Sequence, residues 1–499
     1  MTKAITPGPV GPAQPVTRNG RLTPADWAVV GGLAALATAL RFYNLGSPLW
    51  FDEIVTVVDS VRNPLSTIVT HFPGNNDHPL YSVLARVSVV AFGESPWSLR
   101  LPAVLFGVLS VPLLYLLGVA VTDRREALAA SLLLTVSYHH VWFSQNARAY
   151  TILLCCALLG THALIRWLDT GRRSFLGLYA VVTAVGAYAH LTMVLASIGQ
   201  ALALAVDWTV HRRSSRLHAE WKAAAAGFAG AAVLTVLAYA PMLADVSAFF
   251  TTQTATATEV ATPGWALLAT LRGLEIGFGL RWGILVGLVI AAAGTLSYLR
   301  ERSVVAWLFL FPLPATIALA LLFNRPVFPR FAFFVAGFGL LIVMRGAAVL
   351  AEWIARQARL PLSPDRARTL AVAAVTVLGV VVSLRSLPYG YRHPKQDYEA
   401  AVRAVDELAT PGDRIVVVGD PASIPINRYL HRPWPRIDTA DDLREIQQDA
   451  GRVWVVYTFP SYIRNGQPEL WSILTNECQE AAEIDGNVAG GAITVTRCP

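Results

Sequence analysis

The stretch SLRLPAVLFGVLSVPLLYLLG, residues Ser98 to Gly118, contains one charged residue, Arg100, and is otherwise an almost unbroken apolar run. An apolar run of about 20 residues, wound as a helix, crosses a hydrocarbon core roughly 30 Å thick. Similar runs recur along the chain, which is 54% hydrophobic and only 15% charged. This composition predicts a multi-pass α-helical membrane protein with about eleven transmembrane helices. The predicted spans are residues 26–42, 99–121, 126–143, 149–168, 175–190, 191–208, 223–242, 280–298, 304–323, 331–350 and 369–386.

The loops between these spans differ in charge. Short basic breaks such as DRRE (Asp123 to Glu126), GRRS (Gly171 to Ser174) and LRERS (Leu299 to Ser303) alternate with loops that carry few Lys or Arg residues. Loops rich in Lys and Arg usually stay in the cytoplasm. We therefore expect a plasma-membrane protein whose N-terminus is cytoplasmic. The net charge of +7 is then a topology signal, and no nucleic-acid partner is expected. Residues 1–24, rich in Pro, Gly and Thr, are expected to be a disordered cytoplasmic tail without a cleavable signal peptide.

The composition changes after the transmembrane module, residues 25–387. Residues 388–499 alternate helical and strand patterns, which predicts a small α/β domain, and an odd number of crossings places it outside the cell. This domain lacks a G-x-G-x-x-G loop after its first strand, which argues against dinucleotide binding. Cys478 and Cys498 lie in it, so an oxidising compartment favours a disulfide between them, although two buried thiols are the alternative.

The first external loop, residues 43–98, is long and acidic at its start. In SPLWFDEIVTVVDS, Ser47 to Ser60, apolar and polar residues separate onto two sides of a helix lying on the membrane. Asp52 and Glu53 are then expected to face a water-filled cavity, because a carboxylate in lipid costs at least about 2.5 kcal/mol. The alternative is that Asp52 only caps this helix. The loop also contains Asp77 and His78, and Arg100 follows it at the start of the next span. Loops of this length are usually functional.

Four motifs follow one another in the first half of the chain: LWFDE, NNDHPLY, SLRLPAVLFGVLSVPLLYLLG and SYHHVWFSQNARAY. In this order they resemble the membrane glycosyltransferases of the C superfamily, specifically the protein-O-mannosyltransferase and aminoarabinose-transferase branch. The resemblance is densest over residues 40–210. It implies a multi-span fold of the C type, a lipid-linked sugar donor and an Asp-Glu pair in the first external loop. Many relatives read His-Pro-Pro-Leu where this chain has His78-Pro79-Leu80.

The resemblance also implies roles for individual residues. Asp52 would be the general base that accepts the proton of the attacking hydroxyl, and Glu53 would orient the acceptor or support Asp52. The leaving lipid phosphate needs cations, for which arginine is suited, although each arginine has an interfacial anchor as its alternative role. The expected phosphate-binding residues are Arg148, Arg330, Arg100 and Arg325. The expected residues for positioning acceptor or donor are Asp77, His78 and His190.

The resemblance therefore implies an enzyme at the external membrane face that moves a sugar from a polyprenyl-phosphate donor, with inversion, onto a hydroxyl of a lipid, glycan or protein acceptor. The expected sugar is of the mannose or arabinose class. No cofactor is expected, although a metal held by Asp52, Glu53 and His78 is chemically allowed. The alternatives are a transporter or lipid flippase and an inactive membrane scaffold. The clustering of polar residues on one membrane side favours the enzyme over the transporter, and the intact acidic pair favours it over the scaffold.

Overall fold

The computed structural model describes residues 22–74, 76–210, 216–252, 263–278, 281–323, 325, 327–448 and 451–499. The chain is a mostly helical membrane protein with a small C-terminal sheet. Most of the predicted tail, residues 1–24, lies outside the described residues. The helices before the C-terminal domain are α1 (Pro24–Phe42), α2 (Phe51–Thr56), α3 (Leu65–Thr70), α4 (Pro79–Phe92), α5 (Pro96–Val121), α6 (Arg124–Val136), α7 (Tyr138–Ser144), α8 (Tyr150–Thr170), α9 (Ser174–Ala189), α10 (Thr192–Val210), α11 (Arg216–Ala219), α12 (Trp221–Tyr239), α13 (Leu243–Thr252), α14 (Pro263–Phe278), α15 (Arg281–Leu310), α16 (Pro312–Leu322), α17 (Ala336–Gln357) and α18 (Pro364–Arg392).

The apolar run Ser98 to Gly118 lies within α5. Ser95 caps this helix by accepting a hydrogen bond from the backbone N–H of Ser98, and Pro96 stands in the first turn, where its missing N–H costs nothing. Within the described residues, eight helical segments are long and apolar enough to cross a membrane. One of them, Gly283–Leu322, is 40 residues long and contains a non-helical residue, Arg302. The count of about eleven crossings therefore stays a prediction.

Helices in the bundle approach one another closely where side chains are absent. Gly294 of α15 faces the backbone of α17, and a Cβ atom added at Gly294 would lie 2.8 Å from the backbone nitrogen of Gly346. Real Cβ atoms do not come this near to backbone, so both helices need glycine at the crossing. Such contacts replace the hydrophobic driving force that lipid does not supply between helices.

The C-terminal domain is built on a five-stranded mixed sheet with strand order β2-β1-β3-β5-β4. Strand β1 pairs in parallel with β2 and β3, whereas β5 is antiparallel to β3 and β4. The buried apolar run of β3, VWVVYT, suits a central strand covered on both faces. The strands are β1 (Arg414–Val418), β2 (Arg436–Ile437), β3 (Val453–Thr458), β4 (Gln479–Ile484) and β5 (Ile493–Cys498). The helices are α19 (Tyr398–Leu408), α20 (Gly419–Ser423), α21 (Ala440–Gln448), α22 (Pro460–Gly466) and α23 (Pro468–Asn476).

A disulfide joins Cys478, just before β4, to Cys498, the last residue of β5. The two cysteines are 20 residues apart, and closing a loop of that length restricts the unfolded chain by about 3 kcal/mol. We expect Cys478→Ser with Cys498→Ser to lower the free energy of unfolding of the C-terminal domain by about 2–4 kcal/mol. Thermal unfolding of the purified protein, with Cys156→Ala as the control inside α8, measures this. An unchanged midpoint would show that the bond does not stabilise the domain.

Candidate active site

Helix α2 begins directly after the extended residue Trp50, and its two acidic residues have different partners. Glu53 caps the helix, because its Oε2 accepts a hydrogen bond from the backbone N–H of Trp50 at 3.3 Å. Asp52 instead accepts a hydrogen bond from Nη1 of Arg330 at 2.9 Å. The helix continues as a π-helical turn, Val57–Val61, and packs against the C-terminal domain through Phe51 and Phe459, whose ring centroids are 6.3 Å apart. The predicted helix on the membrane surface is therefore wedged between the bundle and the C-terminal domain.

Glu53 is fully buried and forms an ion pair with Arg100, which is fully buried as well. The two carboxylate oxygens accept from Nε and Nη2 of Arg100 at 2.8 and 2.7 Å. The remaining N–H groups of Arg100 donate to the carbonyl oxygens of Leu45, Ser47 and Pro48 at 2.8–3.0 Å. All five N–H groups of the guanidinium thus have protein acceptors. The predicted phosphate-binding role of Arg100 does not fit this geometry and is replaced by a role in holding the first external loop.

Two further groups contact or face the Glu53 carboxylate. The backbone N–H of Ala147 donates to Oε1 at 2.6 Å, and Lys395 adds positive charge from the junction between α18 and the C-terminal domain. Although burial raises the pKa of Glu53, Arg100 and Lys395 together hold this pKa below its ordinary value. Glu53 therefore stays ionised, and its contacts make it a positioning residue for the loop that carries Asp52.

Two arginines surround Asp52. Arg148 is buried and donates from Nη1 to Thr56 Oγ1 and to the carbonyl oxygen of Asn76, both at 3.0 Å. The Nε atoms of Arg148 and Arg330 are buried and have no hydrogen-bond partner in the structure. Two guanidinium groups beside one carboxylate leave an excess positive charge and two unused N–H donors. An anion with several oxygens is the ligand that this arrangement favours.

Asp77, His78 and His190 lie on the same side of the site. His78 stacks on His190 with ring centroids 4.7 Å apart, and neither ring nitrogen of His78 has a hydrogen-bond partner of ordinary geometry. Burial and the nearby Arg148 hold the pKa of His78 well below its ordinary value, so its imidazole is neutral. Asp77 Oδ1 accepts from Ser60 Oγ at 3.1 Å, while Oδ2 is buried and unpartnered. The structure thus brings these three predicted residues next to the arginines.

A cavity of about 220 Å³ opens beside these residues. Its wall combines the polar side of α2 and the π-helical turn with the loop before His78. The polar residues in this wall are Thr56, Asp59, Ser60, Asn76 and Asp77. Asp59 is in turn paired with Arg428 of the C-terminal domain at 2.9 Å. The cavity supplies hydroxyl, amide and carboxylate groups for a polar ligand, and two of its residues, Thr56 and Asn76, donate hydrogen bonds to the backbone carbonyl of Asp52.

The titration of Asp77 gives a testable pH dependence. Burial raises the pKa of Asp77 to about 6, whereas an unfolded aspartate titrates near about 3.9. Asp77 therefore makes its full contribution to the free energy of unfolding below about pH 4. This contribution is lost as the pH rises to about 6, and the loss is about 3 kcal/mol in total. We expect Asp77→Asn to flatten the fall in unfolding temperature over this interval. Thermal unfolding measured at several pH values tests it, and a slope equal to that of the wild type would contradict the assignment.

Arg325 is placed over the ring of Phe249, with the guanidinium carbon 5.0 Å from the ring centroid. Its predicted contact with the donor phosphate stays a prediction.

The sequence analysis missed residues at the junction with the C-terminal domain. Lys395 is one of only three lysines in the chain and follows the last predicted span, a signal that was available in the sequence. Gln396 carries no such signal. Its Oε1 accepts from the backbone N–H of Phe51 at 3.0 Å, and its Nε2 donates to Thr458 Oγ1 at 3.1 Å. Gln396 thus connects the end of β3 to the residue before Asp52.

Comparison with known proteins agrees with this picture. Residues 76–239, less than half of the chain, match the model of the family described as dolichyl-phosphate-mannose-protein mannosyltransferase. No curated protein matches the chain. ArnT from Cupriavidus metallidurans in the apo state is 14% identical with a TM-score of 0.55, over 95% of this chain and 98% of ArnT. ArnT from the same organism bound to undecaprenyl phosphate is 13% identical with a TM-score of 0.56, again over 95% of this chain and 98% of ArnT.

The oligosaccharyltransferase of Archaeoglobus fulgidus is 12% identical with a TM-score of 0.57, over 91% of this chain and 71% of the archaeal one. At these identities the solved structures show a shared fold. The resemblance to the glycosyltransferases of the C superfamily is confirmed, because the family match and the fold agree.

Proposed function

We propose that this chain transfers a sugar from a polyprenyl-phosphate carrier to a hydroxyl acceptor at the external face of the plasma membrane, with inversion at the anomeric carbon. The observation that carries the proposal is one buried carboxylate, Asp52, paired with Arg330 while Arg148 contacts its backbone carbonyl, both arginines retaining an unused Nε–H donor. The family match to the dolichyl-phosphate-mannose-protein mannosyltransferases and the solved complex of ArnT with undecaprenyl phosphate support a lipid phosphate as carrier.

The chemistry assigned to Asp52 is removal of one proton. As the acceptor oxygen bonds to the anomeric carbon, its proton passes to Asp52, and the bond from that carbon to the phosphate oxygen breaks on the opposite face. The leaving phosphate carries the electron pair of that bond. Arg148 and Arg330 stabilise its growing negative charge with their free Nε–H groups. Because Arg330 also holds Asp52, one guanidinium fixes the base relative to the leaving group.

The cavity beside Asp77 is assigned to the acceptor. Asp77 and Ser60 line it, and the neutral His78 directly follows Asp77 in the chain. A neutral imidazole both donates and accepts a hydrogen bond, so it suits a sugar or acceptor hydroxyl. These groups position a substrate and leave proton removal to Asp52.

No cofactor is part of the proposal. The three residues considered for a metal, Asp52, Glu53 and His78, do not fit one, because each carboxylate is engaged by an arginine. Within the described part of the chain, no group of three or more His, Cys, Asp or Glu residues is arranged to hold a metal ion.

The sugar is of the mannose or arabinose class, and the acceptor is a lipid, glycan or protein of the cell envelope. The test uses membranes that contain the protein and radiolabelled polyprenyl-phosphate mannose or polyprenyl-phosphate arabinose. Transfer of label that depends on the protein supports the proposal and names the donor. Failure to transfer either sugar, with folded protein present, would argue against it.

Arg148 gives a prediction for donor binding. Arg148→Lys keeps the charge but removes the planar fork, so we expect the KM for the donor to rise at least about tenfold while the protein stays folded. Arg325→Lys makes the same change at another predicted phosphate contact, the arginine that lies over Phe249, where we expect a smaller effect. Initial rates at varied donor concentration measure both. A larger effect at Arg325 than at Arg148 would reverse the assignment of the phosphate site.

A further inference from the structure

A second cavity lies in the C-terminal domain, at the carboxyl ends of its parallel strands. Strand β1 lies between β2 and β3 and is parallel to both. The chain runs from β1 to β2 on one side and then crosses back to β3 on the other side of β1. The direction of the connections therefore reverses between β1 and β3. In open α/β sheets such a reversal opens a crevice that binds ligands. A cavity of about 140 Å³ is found there, with Val418 at the end of β1 and Thr458 at the end of β3 in its wall.

The backbone at both strand ends is specialised. Gly419, directly after β1, has φ of +63°, and Phe459, directly after β3, has φ of 52° and ψ of 62°. A non-glycine residue in the left-handed region costs about 1–3 kcal/mol and persists only where its surroundings hold it. For Phe459 the surroundings include the ring of Phe51, the residue before Asp52. The strained turn therefore lies between the crevice and the helix that carries Asp52.

The lining of the crevice defines the chemistry of its ligand. It combines a carboxylate, a hydroxyl, an amide and a phenol, from Asp438, Thr458, Gln467 and Tyr462, with apolar surface from Ile463. Tyr462 is 55% exposed, so its ring is accessible for stacking. No Lys or Arg is among the described residues of this wall, and Arg436, which contacts the wall at Asp438, is already paired with Asp438 and Asp420. The site therefore offers no unpaired cation to an anionic group. A neutral ring that carries hydroxyls and an apolar face fits these groups, because the ring packs on the aromatic and the hydroxyls pair with Asp438 and Gln467.

We propose that this crevice, defined by Gly419, Asp438, Thr458, Tyr462 and Gln467, binds a neutral sugar unit of a glycan acceptor. The inference rests on the proposed function for its link to transfer. Thr458 lies in the crevice wall and accepts from Gln396, which in turn accepts from the backbone N–H of Phe51. Two hydrogen bonds thus connect the crevice to the start of the helix that carries Asp52. The crevice binds one sugar unit of the acceptor, while the cavity beside Asp77 holds the acceptor's reacting hydroxyl.

The experiment measures binding of fluorescently labelled mannotetraose and arabinotetraose to the full-length protein in lipid nanodiscs. We expect saturable binding of one of the two probes, weakened at least tenfold by Tyr462→Ala and by Gln467→Ala. The matched controls are Leu408→Ala, which removes an exposed apolar side chain of α19, and Glu480→Gln on β4, at the far edge of the sheet. Both controls are expected to bind as the wild type does.

Absence of saturable binding to either probe would overturn the inference, as would binding that both crevice variants keep. Circular dichroism and thermal unfolding of each variant show that it is folded. Binding needs no donor, so the two proposals fail separately. If transfer from both donors is absent but binding depends on Tyr462, the inference about the crevice is supported and the proposed function is contradicted. If transfer is present and binding is absent, only the inference about the crevice is contradicted.

Discussion

Asp52→Asn is expected to lower the rate of sugar transfer by about 10²–10⁴-fold, the range that a positioned general base contributes. The substitution keeps the shape of the side chain and removes its ability to accept a proton. The asparagine amide would still offer a carbonyl oxygen to Arg330, so the arginine keeps a partner and the fold is expected to survive. The measurement is the initial rate of transfer from radiolabelled donor at matched expression, together with the thermal unfolding temperature.

Asp406→Asn provides the control. It makes the same chemical change at a carboxylate of α19 that is partly exposed and paired with Arg432 at 2.6 Å. We expect it to transfer sugar at the wild-type rate. Full activity in Asp52→Asn would rule out Asp52 as the base. Loss of activity in a folded Asp52→Asn protein would also exclude the inactive scaffold, because a scaffold has no transfer to lose.

Glu53→Gln is expected to destabilise the protein by about 3–5 kcal/mol, although the change is made at the neighbouring residue. It leaves the guanidinium of Arg100 buried without a counter-charge, and an uncompensated buried charge carries a penalty of this size. The midpoint of thermal or denaturant unfolding in detergent measures it. Glu53→Leu with Arg100→Met should recover part of the loss, because the pair is then removed together.

The contrast between the two variants separates their roles. Asp52→Asn is expected to lose rate and keep stability, whereas Glu53→Gln loses stability first. A Glu53→Gln protein with wild-type stability and no transfer would contradict this division and return Glu53 to direct contact with the acceptor, the other role that the motif resemblance implies.

The positions of the membrane helices were predictable because lipid imposes a single requirement on them. A predicted span such as residues 149–168 corresponds to α8, Tyr150–Thr170, since the thickness of the hydrocarbon core sets how long an apolar run must be. Interruptions were harder to predict. The apolar run 126–143 is divided at Ser137 into α6 and α7, and Ser137 caps the second helix by accepting from the backbone N–H of His140. A hydropathy window does not register a local cap of this kind.

The site was predictable in part. Motif order led to Asp52, Arg148 and Arg330, and the structure brings these three together. The predicted phosphate-binding role of Arg100 does not fit the structure. An arginine at the start of an apolar helix has the same sequence pattern whether it faces a ligand or a buried carboxylate. The partner of Arg100, Glu53, lies 47 residues away, and no local pattern encodes that distance. Only the tertiary fold distinguishes the two cases.

The hydrogen bond from Phe51 to Gln396 joins residues 345 positions apart in the chain. At a synthesis rate of about 5–20 residues per second, roughly 20 to 70 s separate the appearance of the two. The first external loop therefore leaves the ribosome long before the segment that completes it. The carboxylate proposed as the base is therefore made long before Gln396, which holds the residue preceding it. A chain that does not yet extend to Gln396 lacks this hydrogen bond, so its first external loop is not yet held to the C-terminal domain.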